Sequence, residues 1–288
     1  MTISLLDHVL ALTSFDPADS LRESLLPFTV GTVRAGWMRK SFAARLEGWP
    51  ELFTVRPRGV GLLGDFDTPA HRSAALAEVV ESLAEQEVIR GWRGEQISVS
   101  ESFYREPLFH LERAATRHFG ITAYAAHLNG LTVRDGQPYI WLSERSAAKF
   151  IDPGKWDVLA AGRIGRGETA RDAMRREAFE EAGVPSETAA LAKPAGAVRV
   201  QREVDEGLHR EIAFVHDLIL PTTFVPVNRD GEVASFRCVS MAEIIDMLRA
   251  PEQFTADAVL AIVDCLIRRG YFGTDRPDYL DLIHAIHP

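Results

Sequence analysis

Residues 162–184, GRIGRGETARDAMRREAFEEAGV, carry the sequence information that decides the fold of this chain. Three glycines within residues 162–167 let the backbone bend back tightly. Helix-forming residues follow and stop at Gly183 and Pro185, which predicts a helix over residues 169–182. The segment therefore predicts a glycine-rich loop that leads directly into a helix rich in carboxylates.

The carboxylates of this helix share one side of it. At roughly 100° per residue, Glu177, Glu180 and Glu181 fall within an arc of about 100°. Ala173 lies in or close to the same arc, whereas Phe179 lies opposite. We therefore expect the glutamates on the side of the helix that packs on the protein.

Three glutamates at such spacing repel one another, and placing them beside a packed face also costs desolvation. A bound cation would offset both costs, and oxygen-rich sites suit Mg²⁺ or Mn²⁺. The alternative is an ordinary solvated acidic face that pairs with the arginines at positions 171, 175 and 176. The spacing of the whole segment favours the metal site.

The segment resembles the signature of the Nudix family, G-x5-E-x7-R-E-U-x-E-E-x-G-U, in which U is aliphatic. The matching residues are Gly162, Glu168, Arg176, Glu177, Ala178, Glu180, Glu181, Gly183 and Val184. The resemblance implies an α/β/α sandwich with a mixed sheet, an α/β (α+β) fold. It also implies hydrolysis of a nucleoside diphosphate linked to another moiety, or of a related diphosphate.

The resemblance also implies roles for these residues. Glu177, Glu180 and Glu181 would bind the divalent metal, and Arg176 would orient their carboxylates. Glu168 would support the loop, or the metal through water. The catalytic base lies outside this segment in some members of the family. Glu232, in the turn at residues 228–232, is a candidate, although a plain turn glutamate is an equally good interpretation.

Candidate substrate-binding residues lie at the start of the segment and before it. Arg145 and Lys149 follow a predicted strand, and an arginine fork matches phosphate oxygens. Solvated charges would explain both residues equally well. Gly162 and Arg163 are the other candidates, because they open the loop.

Composition limits the partners of the protein. The 288 residues carry a net charge of −9, which disfavours binding to a nucleic acid backbone. The chain has no apolar run of the roughly 20 residues that span a bilayer, and no basic region precedes the first apolar stretch. We expect a cytoplasmic protein with no membrane partner and a small diphosphate substrate. The sequence leaves a homodimer open.

Helix and strand signals divide the chain near residue 120. Residues 1–120 predict a smaller α/β accessory domain, with helices at 71–89 and 107–118. Residues 121–288 predict the catalytic domain, with strands at 121–133, 139–143 and 158–161. We expect the accessory domain to close over the substrate or to form a dimer interface. His127 and Asn129, in the first of these strands, are better explained by core hydrogen bonds than by ligand contact.

Segments outside the signature narrow the resemblance to Nudix proteins related to thiamine pyrophosphokinase. These segments are residues 27–53, 125–131, 141–149, 152–162, 217–233 and 266–272. Members of that group are associated with hydrolysis of thiamine diphosphate and its oxidised analogues to the monophosphate. ADP-ribose, nucleotide sugars and dinucleotides are the alternative substrates, and a non-catalytic diphosphate-binding protein is the alternative class.

Two positions depart from the pattern of this group. Arg163 stands where the group has a second glycine, and residues 255–258 read TADA where it has a Lys-Pro-Asn-Cys-like stretch. Both departures put the identity of the substrate in question and leave the diphosphate chemistry intact.

Overall fold

The computed structural model describes residues 4–19, 24–63 and 68–287. The first part of the chain forms a four-stranded sheet in the order β2-β1-β4-β3 and a separate β5–β6 pair. Its elements are α1 (Leu5–Thr13), β1 (Leu25–Val30), β2 (Val33–Arg39), α2 (Lys40–Arg45), β3 (Phe53–Arg56), β4 (Gly59–Leu62), α3 (Pro69–Glu85), β5 (Gln96–Val99), β6 (Phe109–Glu112) and α4 (Thr116–Phe119).

The helix predicted at residues 107–118 is wrong. The structure has strand β6 there, followed by a 3₁₀ turn and the four-residue helix α4. Leu108, Leu111 and Ala115 recur at helical spacing, which misled the periodicity argument. The strand forms because β5, which the sequence did not predict, pairs with it in antiparallel register.

The second part of the chain forms a seven-stranded sheet. Five strands lie in the order β11-β12-β7-β8-β13, with β10 on β7 and β9 on β8. Its elements are β7 (Thr122–Arg134), β8 (Gln137–Arg145), β9 (Trp156–Val158), β10 (Ala160–Arg163), α5 (Ala170–Ala182), α6 (Ser186–Ala189), β11 (Lys193–Val204), β12 (Gly207–Ile219), β13 (Val233–Ser240), α7 (Met241–Met247), α8 (Ala256–Arg268) and α9 (Tyr279–Ile286).

This sheet is mixed, because β12 runs parallel to β7 whereas β8 and β10 run antiparallel to it. Residues 125–128 of β7 pair with β10, and residues 130–134 pair with β8. These two strands therefore lie one after the other along the same edge of β7. The sequence predicted one strand at residues 158–161. The structure has two, β9 and β10, and the chain steps between them from β8 to β7.

Helices cover both faces of the large sheet, which confirms the predicted α/β/α arrangement. Alternate residues of β7 point to opposite faces. Ala126 and Leu128 share a core cluster with residues of α5, whereas Ala125 and Leu131 share one with α8 and α9. Helix α5 therefore packs on one face of the sheet, and α8 and α9 pack on the other.

Helix α1 lies against β11 and α9, so it joins the core of the large sheet although it begins the chain. The domain division at residue 120 stays a prediction.

In residues 4–19, 24–63 and 68–287, no helix is both long and apolar enough to cross a membrane.

Candidate active site

Helix α5 presents Glu177 and Glu181 toward the sheet, as its periodicity predicted, whereas the side chain of Glu180 is 42% exposed. Glu177 is 8% exposed and Glu181 is 5% exposed, whereas Phe179 on the opposite side is 46% exposed. The Thr169 side chain caps the helix by accepting a hydrogen bond from the backbone N–H of Asp172 at 3.1 Å. This cap fixes where the helix begins and therefore which side of it faces the sheet.

Strand β10 and helix α5 meet at the two buried glutamates. Glu181 Oε2 accepts a hydrogen bond from the backbone N–H of Ala161 at 2.8 Å. Glu177 lies directly over the next residue, Gly162, where an added Cβ would come within 1.8 Å of Glu177 Oε1. The absence of a side chain at Gly162 therefore leaves room for the Glu177 carboxylate.

Arg176 joins the loop to the glutamates of the helix. Its Nε and Nη2 donate to the two carboxylate oxygens of Glu168 at 2.8 and 2.9 Å, a bidentate pair. Its Nη1 donates to Glu177 at 2.7 Å and to Glu180 at 3.2 Å. Glu168 also accepts from the backbone N–H of Gly165 at 2.8 Å. Arg176 and Glu168 thus have the contacts that their expected orienting and loop-supporting roles require.

A second group of carboxylates approaches Glu181 from the turn before β13. Oxygens of Glu181, Asp230 and Glu232 lie within 4.8 Å of one another. Glu232 also pairs with Lys149, and with Arg93 Nη1 at 3.6 Å. The structure thus brings the candidate base Glu232 beside the helix carboxylates, together with Asp230 and Arg93, which sequence reasoning missed.

Burial perturbs the ionisation of these groups. Burial, with Glu177 nearby, raises the pKa of Glu181 to about 8. Burial also raises the pKa of Glu177, and it outweighs the opposing effect of Arg176. Burial and then Arg145 lower the pKa of Lys149 to about 8. Such crowded carboxylates fit a hard divalent cation, whose charge would offset their repulsion and desolvation.

A cavity of about 310 Å³ lies beside β10, and Ala161 and Gly162 form part of its wall. The stretch of backbone that contacts Glu177 and Glu181 therefore also borders the cavity. Among the described residues, the arginines in its lining are Arg90, Arg93, Arg113, Arg117, Arg145 and Arg163. The lining also holds six carboxylates, those of Asp152, Asp157, Asp205, Glu206, Glu211 and Asp257. Its arginines offer hydrogen-bond donors that match an anionic ligand.

The four candidate substrate-binding residues occupy different places. Arg145, Gly162 and Arg163 line the cavity, and Arg145 donates to the carbonyl oxygen of Ile151 at 3.0 Å through Nη2. Arg163 Nη2 pairs with the buried carboxylate of Glu211 at 2.7 Å. Lys149 is buried against Glu232 instead. The binding roles of all four stay predictions.

The cavity has a polar inner end on β12 and at the start of α8. One ligating atom each of His209, Glu211 and Asp257 lies within 4.8 Å of the others. The two departures from the group pattern, Arg163 and residues 255–258, therefore meet at one place. No local sequence signal pointed to His209 or Glu211, because strand pairing across the fold brings them here.

The two polar residues of β7 have different surroundings. Asn129 donates to Asp217 at 3.0 Å, in line with the core hydrogen bond that the sequence favoured. His127 is buried and lines the cavity instead.

Family models match two consecutive stretches of the chain. Residues 124–261 match the family model described as NUDIX domain, and residues 5–123 match one described as a domain of unknown function (DUF4743). The chain is 36% identical to "Nudix hydrolase 24, chloroplastic" of Arabidopsis thaliana, over 91% of this chain and 72% of that protein. It is 34% identical to "Nudix hydrolase 20, chloroplastic" of the same plant, again over 91% and 72%.

Among solved structures, the chain is similar to the NUDIX domain of Shewanella oneidensis NrtR, solved in complex with ADP ribose. The TM-score is 0.42 at 16% identity, over 52% of this chain and 90% of that one. The two plant relatives carry the word chloroplastic in their names, and the cytoplasmic location expected here stays a prediction.

Proposed function

The chain belongs to the Nudix hydrolase family, and on that premise we propose that it hydrolyses thiamine diphosphate, or oxidised analogues of it, to the monophosphate. Membership in this family makes it an enzyme that acts on diphosphate-type substrates. One observation supports the proposal above all others: the buried glutamates of α5 and the arginine-lined cavity share the backbone of residues 161–162.

Nudix enzymes generally use divalent metal ions, and we propose Mg²⁺ or Mn²⁺ here. Glu177, Glu180 and Glu181 would hold the ion, with Glu168 in support. When bound, the cation supplies positive charge at the phosphate oxygens and makes a water more nucleophilic. Arg176 would keep the glutamate oxygens oriented through its bonds to Glu168, Glu177 and Glu180.

The other charged residues have roles that follow from their positions. Arg145, with Arg93 and Arg113 from the first part of the chain, would neutralise the diphosphate in the cavity. Glu232 would accept the proton of the attacking water, because its carboxylate lies beside that of Glu181. Lys149, which pairs with Glu232, would hold that carboxylate in place.

The thiamine assignment is supported by the segments outside the signature that resemble the thiamine-associated group. The size of the cavity, about 310 Å³, is at the lower end of pockets for small molecules. We propose that residues 1–120 form the accessory domain and close the cavity, since Arg93 and Arg113 reach into its lining.

The experiment is a substrate panel with the full-length protein and Mg²⁺, with separate detection of phosphate and monophosphate. We expect thiamine diphosphate or its oxo or oxy analogue to have the highest kcat/KM. Faster cleavage of ADP-ribose, a nucleotide sugar or a dinucleotide, with no turnover of any thiamine compound, would replace the thiamine assignment. No turnover of any compound would indicate a diphosphate-binding protein instead.

A further inference from the structure

One end of the cavity is a cluster of charged and polar side chains on β10, β12 and α8, none of which belongs to α5. Glu211 Oε2 forms an ion pair with Arg163 Nη2 at 2.7 Å and lies 3.3 Å from His209 Nε2. Asp257, in the first turn of α8, completes the group. The signature chemistry uses none of these carboxylates or imidazoles, so their burial needs another explanation.

Several polar atoms of this cluster have no hydrogen-bond partner among the described residues. They are Nδ1 of His127, Nδ1 of His209, Nη1 of Arg163 and Oδ1 of Asp257. His127 is 3% exposed and His209 is 4% exposed, and both line the cavity. An unpaired buried polar group costs about 1–3 kcal/mol, so such a concentration indicates that a ligand or water completes their bonds.

A metal ion is a poor candidate for this ligand. The Glu211 oxygen that would face the ion already contacts the Arg163 guanidinium, and a second cation there would be repelled by it. The cluster is better suited to an uncharged group that donates hydrogen bonds to the carboxylates. The same group can donate a hydrogen bond to an imidazole nitrogen or accept one from it.

We propose that His209, Glu211 and Asp257 bind the non-phosphate end of the substrate, and that they select a nitrogen heterocycle with an amino group or ring N–H on its edge. This inference rests on the proposed function, since it assumes that the diphosphate lies at the α5 end of the same cavity. Arg163 is a positioning residue, which holds the Glu211 carboxylate.

The geometry of β10 supports this placement. Ala161 borders the glutamates and Arg163 borders the cluster, and two residues of strand span about 6.6 Å. A ligand that lies along β10 thus places its phosphates at one end and a ring at the other.

The ionisation of the two carboxylates agrees with hydrogen-bond recognition. Burial alone would raise the pKa of Glu211, but Arg163 and His209 outweigh it, so the pKa lies well below its usual range. Burial and the charge of Glu211 raise the pKa of Asp257. An ionised Glu211 accepts hydrogen bonds from an N–H group, and the carboxyl oxygens of Asp257 are further acceptors.

The test uses two matched pairs of substrates that differ in one amino group. The first pair is thiamine diphosphate and its 4-desamino analogue, and the second is ADP-ribose and the analogue with unsubstituted purine. We expect the wild-type protein with Mg²⁺ to hydrolyse one of these pairs. Within that pair, kcat/KM should be about 10- to 100-fold higher for the compound that carries the amino group. The pair that responds identifies which heterocycle the cluster binds.

Two variants of one residue connect this preference to the cluster. Asp257→Ala should reduce the ratio of amino to desamino kcat/KM to less than about threefold, since the carboxyl is lost. Asp257→Asn keeps an acceptor oxygen on a side chain of the same size and should keep the ratio close to that of the wild type. Thermal unfolding of both variants shows whether α8 is intact.

The outcomes separate this inference from the proposed function. Turnover of both members of a pair at equal kcat/KM by the wild type overturns the inference and leaves the hydrolase intact. An unchanged ratio in a folded Asp257→Ala variant also overturns it. If the wild type cleaves none of the four compounds, the thiamine and ADP-ribose assignments fail, and this inference fails with them.

Discussion

The Cα of Gly162 lies against the carboxylate of Glu177, so closely that a Cβ at residue 162 would stand 1.8 Å from Oε1 and 1.9 Å from Cδ. At least one of the two residues must shift if the glycine gains a side chain. The invariant spacing between the first glycine of the signature and its central glutamate thus has a steric cause in this protein.

Gly162→Ala should displace the Glu177 carboxylate and lower kcat by about 10- to 100-fold, since a shift of about 1 Å at a catalytic group has that effect. Steady-state kinetics at saturating Mg²⁺ measures the loss. Gly273→Ala is the matched control, because a Cβ there meets nothing within 4 Å. Equal activity in the two variants would show that the position of Glu177 does not matter for turnover.

Glu232→Gln should lower kcat by about 100- to 10,000-fold with little change in KM, because general base catalysis contributes that much. Asp230→Asn is the comparison variant, since its carboxylate lies in the same cluster. We expect its effect to be smaller. A larger loss in Asp230→Asn than in Glu232→Gln would transfer the role of base to Asp230.

Arg113→Gln should raise KM by about tenfold and change kcat much less, because the side chain would bind the diphosphate in the ground state as well as in the transition state. Its other partner is the half-exposed Glu95, at 2.8 Å, so the fold should tolerate the change. Arg249→Gln, which removes an exposed arginine paired with Asp246 on α7, is the control. An unchanged KM would exclude Arg113 from substrate binding.

Arg163→Met should destabilise the protein by about 3–5 kcal/mol at neutral pH, since it leaves Glu211 buried without its cation. Urea unfolding at pH 7.5 and at pH 5 measures the effect. Arg163→Met combined with Glu211→Gln should recover much of the loss, because the uncompensated charge is gone.

The pH dependence of this destabilisation follows from the sign of the Glu211 shift. In the wild type the folded-state pKa is lowered, so the pair stabilises the fold above the ordinary value of 4.5 and loses that contribution as the pH falls below it. In Arg163→Met burial dominates and raises the pKa, so stability falls as the pH rises above 4.5. The gap between the two proteins should therefore narrow from pH 7.5 to pH 5. A gap that is constant with pH would contradict the buried-charge explanation.

Local pattern was enough to predict the helix of the signature and the side of it that is buried. The spacing of Glu177, Glu181 and Phe179 fixes their directions once the helix forms, and the observed burial agrees. The long strand β7 was also predictable, and the strand predicted at residues 121–133 covers almost all of it.

Contacts between distant parts of the chain were not predictable. Arg93 and Arg113 reach the cavity from the first part of the chain, and neither lies in a pattern that indicates a site. Strand β6 was predicted as a helix because its partner β5 had no alternation strong enough to be recognised. His209, Glu211 and Asp257 come together because of the way β12 and α8 pack. The spacing of residues in a single sequence does not reveal that packing.

We propose that the glutamates of α5 hold a divalent cation and that hydrolysis of the diphosphate requires it. The test compares kcat at saturating Mg²⁺ for the wild type and for Glu181→Gln, with the best substrate of the panel. Glu187→Gln, which changes an exposed glutamate outside the site, is the control. We predict a loss of about 1000-fold in Glu181→Gln alone, and loss of wild-type turnover when a chelator removes the metal. Unchanged turnover in a folded Glu181→Gln protein, or turnover that persists in the chelator, would contradict the claim.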